Sequence, residues 1–222
     1  EIKNPLAGIR GATQLLARSL NDPEYREFTD IIINEVDRLR NLADTMLGSR
    51  QLPSYQPVNI HEPLERVRSL IANQTKKRVK LTRDYDLSLP EVLADRDQLI
   101  QVMLNISVNA VQAMNENKEF FVDTQPELIL RTRIQRLVTI NGVIHRSMVR
   151  IDIEDNGPGV PEDIVESVFY PLVTGRAAGT GLGLSIAQNI MHQHNGMIEC
   201  QSMRGKTTFS LYLPWESNHV AK

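Results

Sequence analysis

Apolar side chains in the first fifty residues recur at alternating spacings of three and four. Heptad spacing of this kind predicts two helices of about 20 and about 25 residues. The turn residues Asn21, Asp22 and Pro23 separate them, so the pair forms an antiparallel hairpin. Two helices cannot bury both apolar stripes against each other, and we predict that residues 1–50 dimerise into a four-helix bundle. The two series are Ile2, Leu6, Ile9, Thr13, Leu16 and Leu20, then Ile32, Val36, Leu39, Ala43 and Met46.

The pattern changes near residue 50. Residues 48–57 contain glycine, serine and two prolines, a composition typical of a linker. We therefore predict a helical-hairpin domain at residues 1–54 and a second domain at residues 55–222.

The second domain mixes helical and strand periodicity. Apolar residues have helical spacing at 64–71, from about 95 to 114, and again from Gly183. Alternation predicts strands near Val79 and at 207–213, and two longer strands at 128–140 and 143–155. The pair Asn141-Gly142 between the long strands favours a type I′ hairpin turn. This pattern predicts an α+β fold in which helices cover one face of a mostly antiparallel sheet.

Composition narrows the functional classes. The 222 residues contain 25 Lys+Arg and 27 Asp+Glu, a formal net charge of −2, and nucleic-acid binding normally needs a basic excess. No apolar run approaches the roughly 18 residues of a membrane span. The single cysteine, Cys200, cannot form an internal disulfide, which fits a reducing compartment. We expect a cytoplasmic globular protein that binds neither nucleic acid nor a membrane.

Three short segments hold residues suited to ligand chemistry. The first, DNGPG at 155–159, follows an apolar strand pattern. A carboxylate at a strand end can accept a hydrogen bond from an amino group, and glycines let the backbone approach a flat ligand. These residue types also form ordinary turns, so a plain turn remains open for this segment taken alone.

The second segment, GTGLGL at 179–184, opens a predicted helix. Closely spaced glycines at a helix N-terminus expose backbone N–H groups to an anion, and the helix dipole adds to the attraction. The spacing is neither that of a P-loop nor that of a dinucleotide-binding fold. Residues 173–178 just upstream are small or flexible enough to form a lid.

The third segment places Asn105 and Asn109 on one face of the long predicted helix. Side chains four residues apart are neighbours on a helix, so the two amides can reach a metal ion or a phosphate together. Exposed amides on an amphipathic helix need no ligand, and that reading also remains open.

Taken together and in this order, the segments resemble the GHKL superfamily of ATP-binding domains, and within it the sensor histidine kinases. Residues 105–109 match the N box, 155–159 and 179–184 the two glycine boxes, and 169–172 the F box. The opening residues EIKNPLAGIRGATQLL resemble the end of the H box, which begins the dimerisation and phosphoacceptor hairpin. VTGR at 173–176 and LAGIRGA at 6–12 are most similar to nitrogen-regulatory sensor kinases of the NtrB type. The resemblance implies a GHKL α/β sandwich over roughly residues 55–215.

The resemblance implies an adenine pocket around the first glycine box. Asp155 would bind the adenine amino group of ATP, and Gly157 and Gly159 would shape the pocket. Thr208 in the closing strand would line it.

The resemblance implies a phosphate and metal site around the N box and the second glycine box. Asn109 would hold Mg²⁺ against the triphosphate with help from Asn105, and Arg176 would neutralise phosphate charge from the lid. The other implied nucleotide-binding residues are Thr174, Gly179, Thr180, Gly181, Leu182 and Gly183.

The resemblance also implies phosphoryl transfer. In the family, the γ-phosphoryl passes to the H-box histidine and then to an aspartate of a response regulator. Glu1 would orient that imidazole and take its proton, and Asn4 would position water for dephosphorylating the regulator. The acceptor would immediately precede Glu1, so we expect a fragment of a longer protein that cannot phosphorylate itself. The histidines present are His61, His145, His192, His194 and His219.

The implied partners are a second copy of the chain, a receiver domain of the NtrC type and a PII-type signal protein. Two other functions stay open. A GHKL ATPase shares the nucleotide site, but carries a glutamate where Asn105 stands, to activate water. A phosphatase without kinase activity, or a nucleotide-gated dimeric scaffold without any enzymatic activity, also fits a chain that lacks the acceptor histidine.

Overall fold

The computed structural model describes residues 3–20, 22–46, 53–76, 78–140, 142–176 and 179–215. Glu1, the linker residues 48–52 and Asn141 of the predicted hairpin turn lie outside the described residues. The chain divides into two units, residues 1–52 and residues 53–222. None of the described helices is both long and apolar enough to span a membrane.

The first unit is a pair of helices, α1 (Lys3–Ser19) and α2 (Pro23–Met46), as the heptad spacing predicts. Leu6, Thr13, Thr29 and Val36 are buried. The Arg10 guanidinium of α1 donates to Asp37 of α2 at 2.8 Å. Four further residues of the predicted seam stay uncovered, with exposed fractions of 43–52% at Ile9, Leu16, Ile32 and Leu39.

The described residues of the second unit form three longer helices and seven strands. The helices are α3 (His61–Thr75), α4 (Arg96–Glu116) and α5 (Gly183–Gln193), and single 3₁₀ turns occur at Lys118–Phe121 and Val165–Ser167. The strands are β1 (Gln56–Val58), β2 (Lys80–Asp84), β3 (Val92–Ala94), β4 (Glu127–Ile140), β5 (Val143–Asp155), β6 (Met197–Met203) and β7 (Lys206–Pro214).

Five strands form one sheet in the order β2-β4-β5-β7-β6. β2 pairs with β4 in parallel, and the other pairs are antiparallel, which confirms the predicted α+β fold. β1 and β3 form a separate antiparallel pair. Gln56 and Pro57, assigned to the linker by their composition, therefore belong to a strand instead, because they pair with Ala94 and Leu93.

The helices cover one face of the five-stranded sheet, which we call the inner face, and α4 contacts both α3 and α5. Ile151 and Ile153 of β5 are buried in this core, opposite Leu211 and Phe209 of β7. Because side chains alternate along a strand, Asp155 also points to the inner face.

The outer face carries charged side chains instead. Arg131 of β4 lies 2.7 Å from Asp84 of β2 and 3.4 Å from Glu154 of β5, so ion pairs cross three neighbouring strands. Asp152 and Ser210 lie on this face as well, opposite each other in β5 and β7.

The uncovered seam of the helical hairpin predicts self-association. We expect Leu16→Glu to shift the chain from dimer to monomer, because it places a charge within the apolar seam. Sedimentation velocity over a range of concentrations measures the shift. Leu15→Glu is the matched control, since Leu15 is 67% exposed and lies off the heptad seam. Equal effects of the two substitutions would contradict dimerisation through this seam.

Candidate functional site

The three chemistry-bearing segments meet at the end of the sheet where β5 finishes. Asn105 of α4 donates from Nδ2 to the carbonyl oxygen of Gly183 at 3.0 Å. Arg176 donates to the carbonyl oxygen of Asn109 at 2.6 Å. A Cβ placed on Gly157 would lie 3.5 Å from the Cγ atom of Met114 of α4. The first glycine box, the lid and the second glycine box therefore all contact α4.

Asp155 is the buried acidic group of this site. Asp155 is only 7% exposed, and its Oδ1 atom accepts a hydrogen bond from the Gly157 amide at 2.9 Å. Burial raises the pKa of Asp155 to about 6, although the Gly157 amide and the charge of Arg176 partly oppose the shift. A Cβ on Gly157 would lie 2.7 Å from Oδ1, so a larger residue there would displace the carboxylate.

The register of β5 and β7 corrects the expectation for Thr208. Thr207 pairs with Asp155 and shares the inner face with it, whereas Thr208 pairs with Glu154 and lies on the outer face. There its hydroxyl donates to the Glu154 carboxylate at 3.3 Å. A one-residue shift moves a side chain to the other face of a sheet, so Thr207 is the threonine that neighbours Asp155.

Thr207 belongs to a row of polar side chains that sequence reasoning missed. Ser202 of β6 pairs with Thr207, and their hydroxyl oxygens lie 3.0 Å apart. The Ser202 oxygen accepts from the Val160 amide at 2.8 Å, which ties the chain after the first glycine box to β6. Gly159 has φ +94° and lies against the Met203 carbonyl. The alternation of Phe209, Leu211 and Leu213 is a sequence signal that places Thr207 on the inner face.

The second glycine box packs against the F box. Gly181 has φ +66°, and a Cβ there would lie 2.5 Å from the carbonyl carbon of Leu172, so only glycine fits. The carbonyl oxygen of Gly181 accepts a hydrogen bond from the Leu172 amide at 2.9 Å. Phe169 in turn meets Phe209 of β7 edge to face, with ring centroids 6.2 Å apart. Leu182 is buried and Thr180 is exposed at the start of α5.

Arg176 in the lid lies along α4. Besides the Asn109 carbonyl, its guanidinium donates to Gln112 at 2.9 Å and lies 3.4 Å from Glu116. Burial lowers the pKa of Arg176, against the charges of Glu116 and Asp155. The Thr174 hydroxyl accepts from the Arg176 amide at 3.1 Å and so orders this part of the lid.

Gly179 and Asn4, two further residues predicted from the sequence, lie in different units of the chain. The amide of Gly179 donates to the Arg176 carbonyl at 3.2 Å, and a Cβ on Gly179 would overlap the Thr174 hydroxyl. Asn4 is exposed near the start of α1, in the other unit of the chain.

The donor set at α4 fits a magnesium ion that arrives with a phosphorylated ligand. No group of three His, Cys, Asp or Glu side chains among the described residues can hold a metal ion. Mg²⁺ usually takes one or two protein oxygens and completes its shell with phosphate oxygens and water. Asn109 of α4 is half-buried, and its side chain carries an amide oxygen of the type that Mg²⁺ takes.

A sheet covered on one face by helices, with a buried carboxylate and a glycine-rich loop meeting over one helix, is the arrangement of a nucleotide-binding α/β sandwich. The model of the histidine kinase-, DNA gyrase B- and HSP90-like ATPases matches residues 94–217, and the chain belongs to this family. The His Kinase A (phospho-acceptor) domain model matches residues 1–52.

Similar proteins extend over nearly the whole chain. A sensory histidine kinase/phosphatase NtrB from Escherichia coli O157:H7 is 50% identical over 215 residues, which cover 96% of this chain and 59% of that protein. The chain thus spans about three-fifths of the length of the curated relative.

Two solved structures share the fold. Full-length ShkA in complex with AMPPNP superposes with a TM-score of 0.66 at 24% identity, covering 97% of this chain and 44% of that one. Histidine kinase ThkA in complex with the response regulator protein TrrA gives a TM-score of 0.64 at 24% identity, covering 97% of this chain and 59% of that one.

We expect burial of the Asp155 carboxylate to lower the free energy of unfolding and to favour nucleotide binding. Above about pH 6 Asp155 is ionised in the folded state at a cost, because its folded pKa lies above the unfolded value. We expect Asp155→Asn to raise the free energy of unfolding by about 1 to 3 kcal/mol at pH 8. The gain shrinks as the pH falls from about 6 to about 4 and is lost below about pH 3, where the carboxyl is protonated in both states. Urea unfolding at several pH values measures it.

The same substitution replaces one carboxylate oxygen by an NH₂ group, which donates hydrogen bonds and does not accept them. If that oxygen accepts the adenine amino group, as the resemblance implies, ATP affinity should fall sharply. Asp152→Asn is the control. Asp152 is buried on the outer face and lies 2.7 Å from Arg150, so its loss destabilises the fold and leaves ATP affinity unchanged. An Asp155→Asn variant that binds ATP normally would contradict the role of this carboxylate.

The two adjacent threonines provide a matched pair. We expect Thr207→Val to weaken ATP binding about tenfold, because it removes a hydroxyl beside Asp155. Thr208→Val removes a hydroxyl from the outer face, and its affinity should stay within about twofold of the wild type. Isothermal titration with AMPPNP and Mg²⁺ compares them. The reverse order of effects would contradict the register assignment.

Proposed function

We propose that this chain is the catalytic part of a cytoplasmic sensor histidine kinase/phosphatase that acts in nitrogen regulation. It binds ATP with Mg²⁺, directs the γ-phosphoryl group to a histidine of the H box, and serves its onward transfer to an aspartate of a response regulator. The observation that carries this proposal is the buried Asp155 opposite a glycine-rich loop and Asn109, in a chain whose first 52 residues match a phosphoacceptor domain.

The residues of the second unit bind and orient the nucleotide. Ionised Asp155 accepts a hydrogen bond from the adenine amino group, and Thr207 borders that position. The backbone amides of the second glycine box, at 179–183, face the phosphates at the start of α5. Asn109 holds Mg²⁺, which shields the negative charge of the phosphates when bound. Arg176 exchanges its contacts on α4 for phosphate oxygens.

The first unit supplies the dimer interface and the transfer chemistry. Residues 1–54 form the dimerisation and phosphoacceptor hairpin, and residues 55–222 form the ATP-binding domain. Glu1 takes the proton of the acceptor imidazole as nitrogen attacks the γ-phosphorus and the bond to the β-phosphate oxygen breaks. Asn4 positions water to hydrolyse the phosphoaspartate of the regulator.

The relatives support a response regulator as one partner. NtrB of Escherichia coli is named a kinase and a phosphatase, and ThkA was solved with a response regulator. We extend both to this chain and propose a receiver domain of the NtrC type as its phosphoryl acceptor, with a PII-type protein as a regulator. A phosphatase or scaffold without kinase activity is the second candidate, because none of the five histidines lies in an H box.

Labelling with γ-³²P ATP and Mg²⁺ tests the kinase reaction. We compare the chain as given with one that carries an added histidine directly before Glu1. Acid-labile, alkali-stable label is expected only on the chain with the added histidine, because phosphohistidine has that stability and the given chain has no H-box acceptor. The control adds glutamine at the same place. Absence of label on all three would remove the kinase reaction and leave the second candidate.

Decay of a phosphorylated NtrC-type receiver, followed in the same assay, separates phosphatase from scaffold. We expect the chain as given to shorten the phosphoryl lifetime in the presence of nucleotide, and Asn4→Ala to lose this effect. Stoichiometric binding of the receiver without any change in lifetime would favour the scaffold.

A further inference from the structure

His194 lies buried just beyond the end of α5, far along the helix from the glycine-rich loop. It is 3% exposed, and both ring nitrogens are engaged. Nε2 lies 3.0 Å from the backbone nitrogen of Asp95, and Nδ1 lies 2.8 Å from the carbonyl oxygen of Ile190. A backbone amide only donates and a carbonyl only accepts, so Nδ1 carries the hydrogen and Nε2 is the acceptor. The contacts therefore select one neutral tautomer.

Asp95 is the N-cap of α4. Its Oδ1 accepts from the backbone amides of Asp97 and Gln98, at 3.0 and 3.1 Å. Its own amide has no place in the helix ladder, because it precedes the first turn, and His194 supplies the acceptor. One imidazole thus joins the start of α4 to the end of α5.

The chain entering the second unit closes over this contact. The amide of Ser54 donates to Oδ2 of Asp95 at 2.8 Å, and the Tyr55 hydroxyl donates to the Gln193 carbonyl at 2.6 Å. The Tyr55 ring meets the His194 ring edge on, with centroids 5.2 Å apart. We call the group formed by Ser54, Tyr55, Asp95 and His194 the clasp.

The clasp lies at the start of α4 and the end of α5, whereas the nucleotide site lies at the middle of α4 and the start of α5. Asn105 is ten residues beyond Asp95 on α4, about 15 Å along the axis, and Gly183 is eleven residues before His194 on α5, about 16 Å. The hydrogen bond from Asn105 joins the middle of α4 to the start of α5, and that from Asp95 to His194 joins the start of α4 to the residue after α5. The two helices are therefore held together at two places about 15 Å apart along their axes.

We propose that His194 is a positioning residue for nucleotide binding, which fixes α4 against α5 by accepting the Asp95 amide and so holds Asn105 and Asn109 in place relative to the second glycine box. The inference rests on the proposed nucleotide site, but it concerns residues outside it. His194 touches neither nucleotide nor metal in this role. It acts through the two helices.

Two substitutions separate the hydrogen bond from the space that the ring fills. His194→Leu fills a similar volume with an apolar side chain and removes the acceptor of the Asp95 amide. We expect it to weaken AMPPNP binding about tenfold. His194→Gln keeps an oxygen acceptor within reach of the Asp95 amide, and should restore binding to within about threefold of the wild type. His192→Leu changes an exposed neighbour in the last turn of α5 and should leave affinity unchanged. Titration of the whole chain with AMPPNP and Mg²⁺ measures all three.

Hydrogen exchange of the wild-type chain provides a test that needs no variant. If the clasp favours nucleotide binding, nucleotide must favour the clasp by the same factor. We expect saturating AMPPNP to slow exchange of the Asp95 amide about tenfold, although that amide lies a helix length away from Asn105. This measurement decides the matter even where His194→Leu does not fold.

The outcomes are distinct. Restored binding in His194→Gln together with slower exchange at Asp95 supports the positioning role. Normal AMPPNP affinity in a folded His194→Leu variant, equal losses in the leucine and glutamine variants, or unchanged exchange at Asp95 would each overturn it. A wild-type chain that does not bind AMPPNP would overturn the proposed nucleotide site itself and this inference with it.

Discussion

The burial of one carboxylate is the constraint on which the site depends. Asp155 ends a strand whose nearest inward residues, Val149, Ile151 and Ile153, are apolar, and β7 and β6 place Thr207 and Ser202 beside it in register. Among the residues that the structure describes, this carboxylate has one hydrogen-bond donor, the Gly157 amide. A buried acceptor with spare capacity is unfavourable until a donor arrives, so the same desolvation that raises the pKa of Asp155 favours a ligand that carries an amino group. The loss of stability without a ligand and the affinity for a ligand therefore have the same cause, the burial of Asp155.

Helix α4 connects this pocket to the rest of the site. Its central position between α3 and α5 buries Leu99, Val102 and Met103, which fixes the direction in which Asn105 and Asn109 project. The lid reaches the same helix through Arg176. Arg176, the second glycine box and the N box therefore all contact one helix, whose first turn is capped by Asp95.

Periodicity along the chain predicts the elements whose pattern is long. All five helices and the long hairpin of β4 and β5 lie close to the predicted positions, because each extends over enough residues for its period to be recognised. β1 and β3 have three residues each, too few for a period. The sequence pattern does not predict β6. Yet Arg204-Gly205 joins β6 to β7 in a two-residue turn, with Gly205 at φ +85°. Glycine in such a turn is the same hairpin signal that Gly142 gives.

For the site, the motifs name Asp155, Asn105 and the glycines as candidate residues, because each motif is a short run of neighbouring residues in the sequence. The resemblance points to Thr208, whereas the register places Thr207 on the face of Asp155, because the face of a strand residue follows from pairing and the motif alone does not state the register. The contacts of Arg176 with Gln112 and Glu116 join residues about 60 positions apart, and local pattern carries no information on them. The same holds for His194 and Asp95.

The hydrogen bond made by Asn105 bears on what the site does with a bound phosphoryl group. Its Nδ2 donates to the Gly183 carbonyl, so the amide serves as a donor between α4 and α5. A carboxylate has no hydrogen to give and would face that carbonyl oxygen with a like partial charge. A glutamate that activates water in an ATPase therefore cannot replace Asn105 here without breaking the tie between the helices. An amide is also not basic enough to take a proton from water, which supports transfer of the phosphoryl group to a positioned nucleophile over hydrolysis.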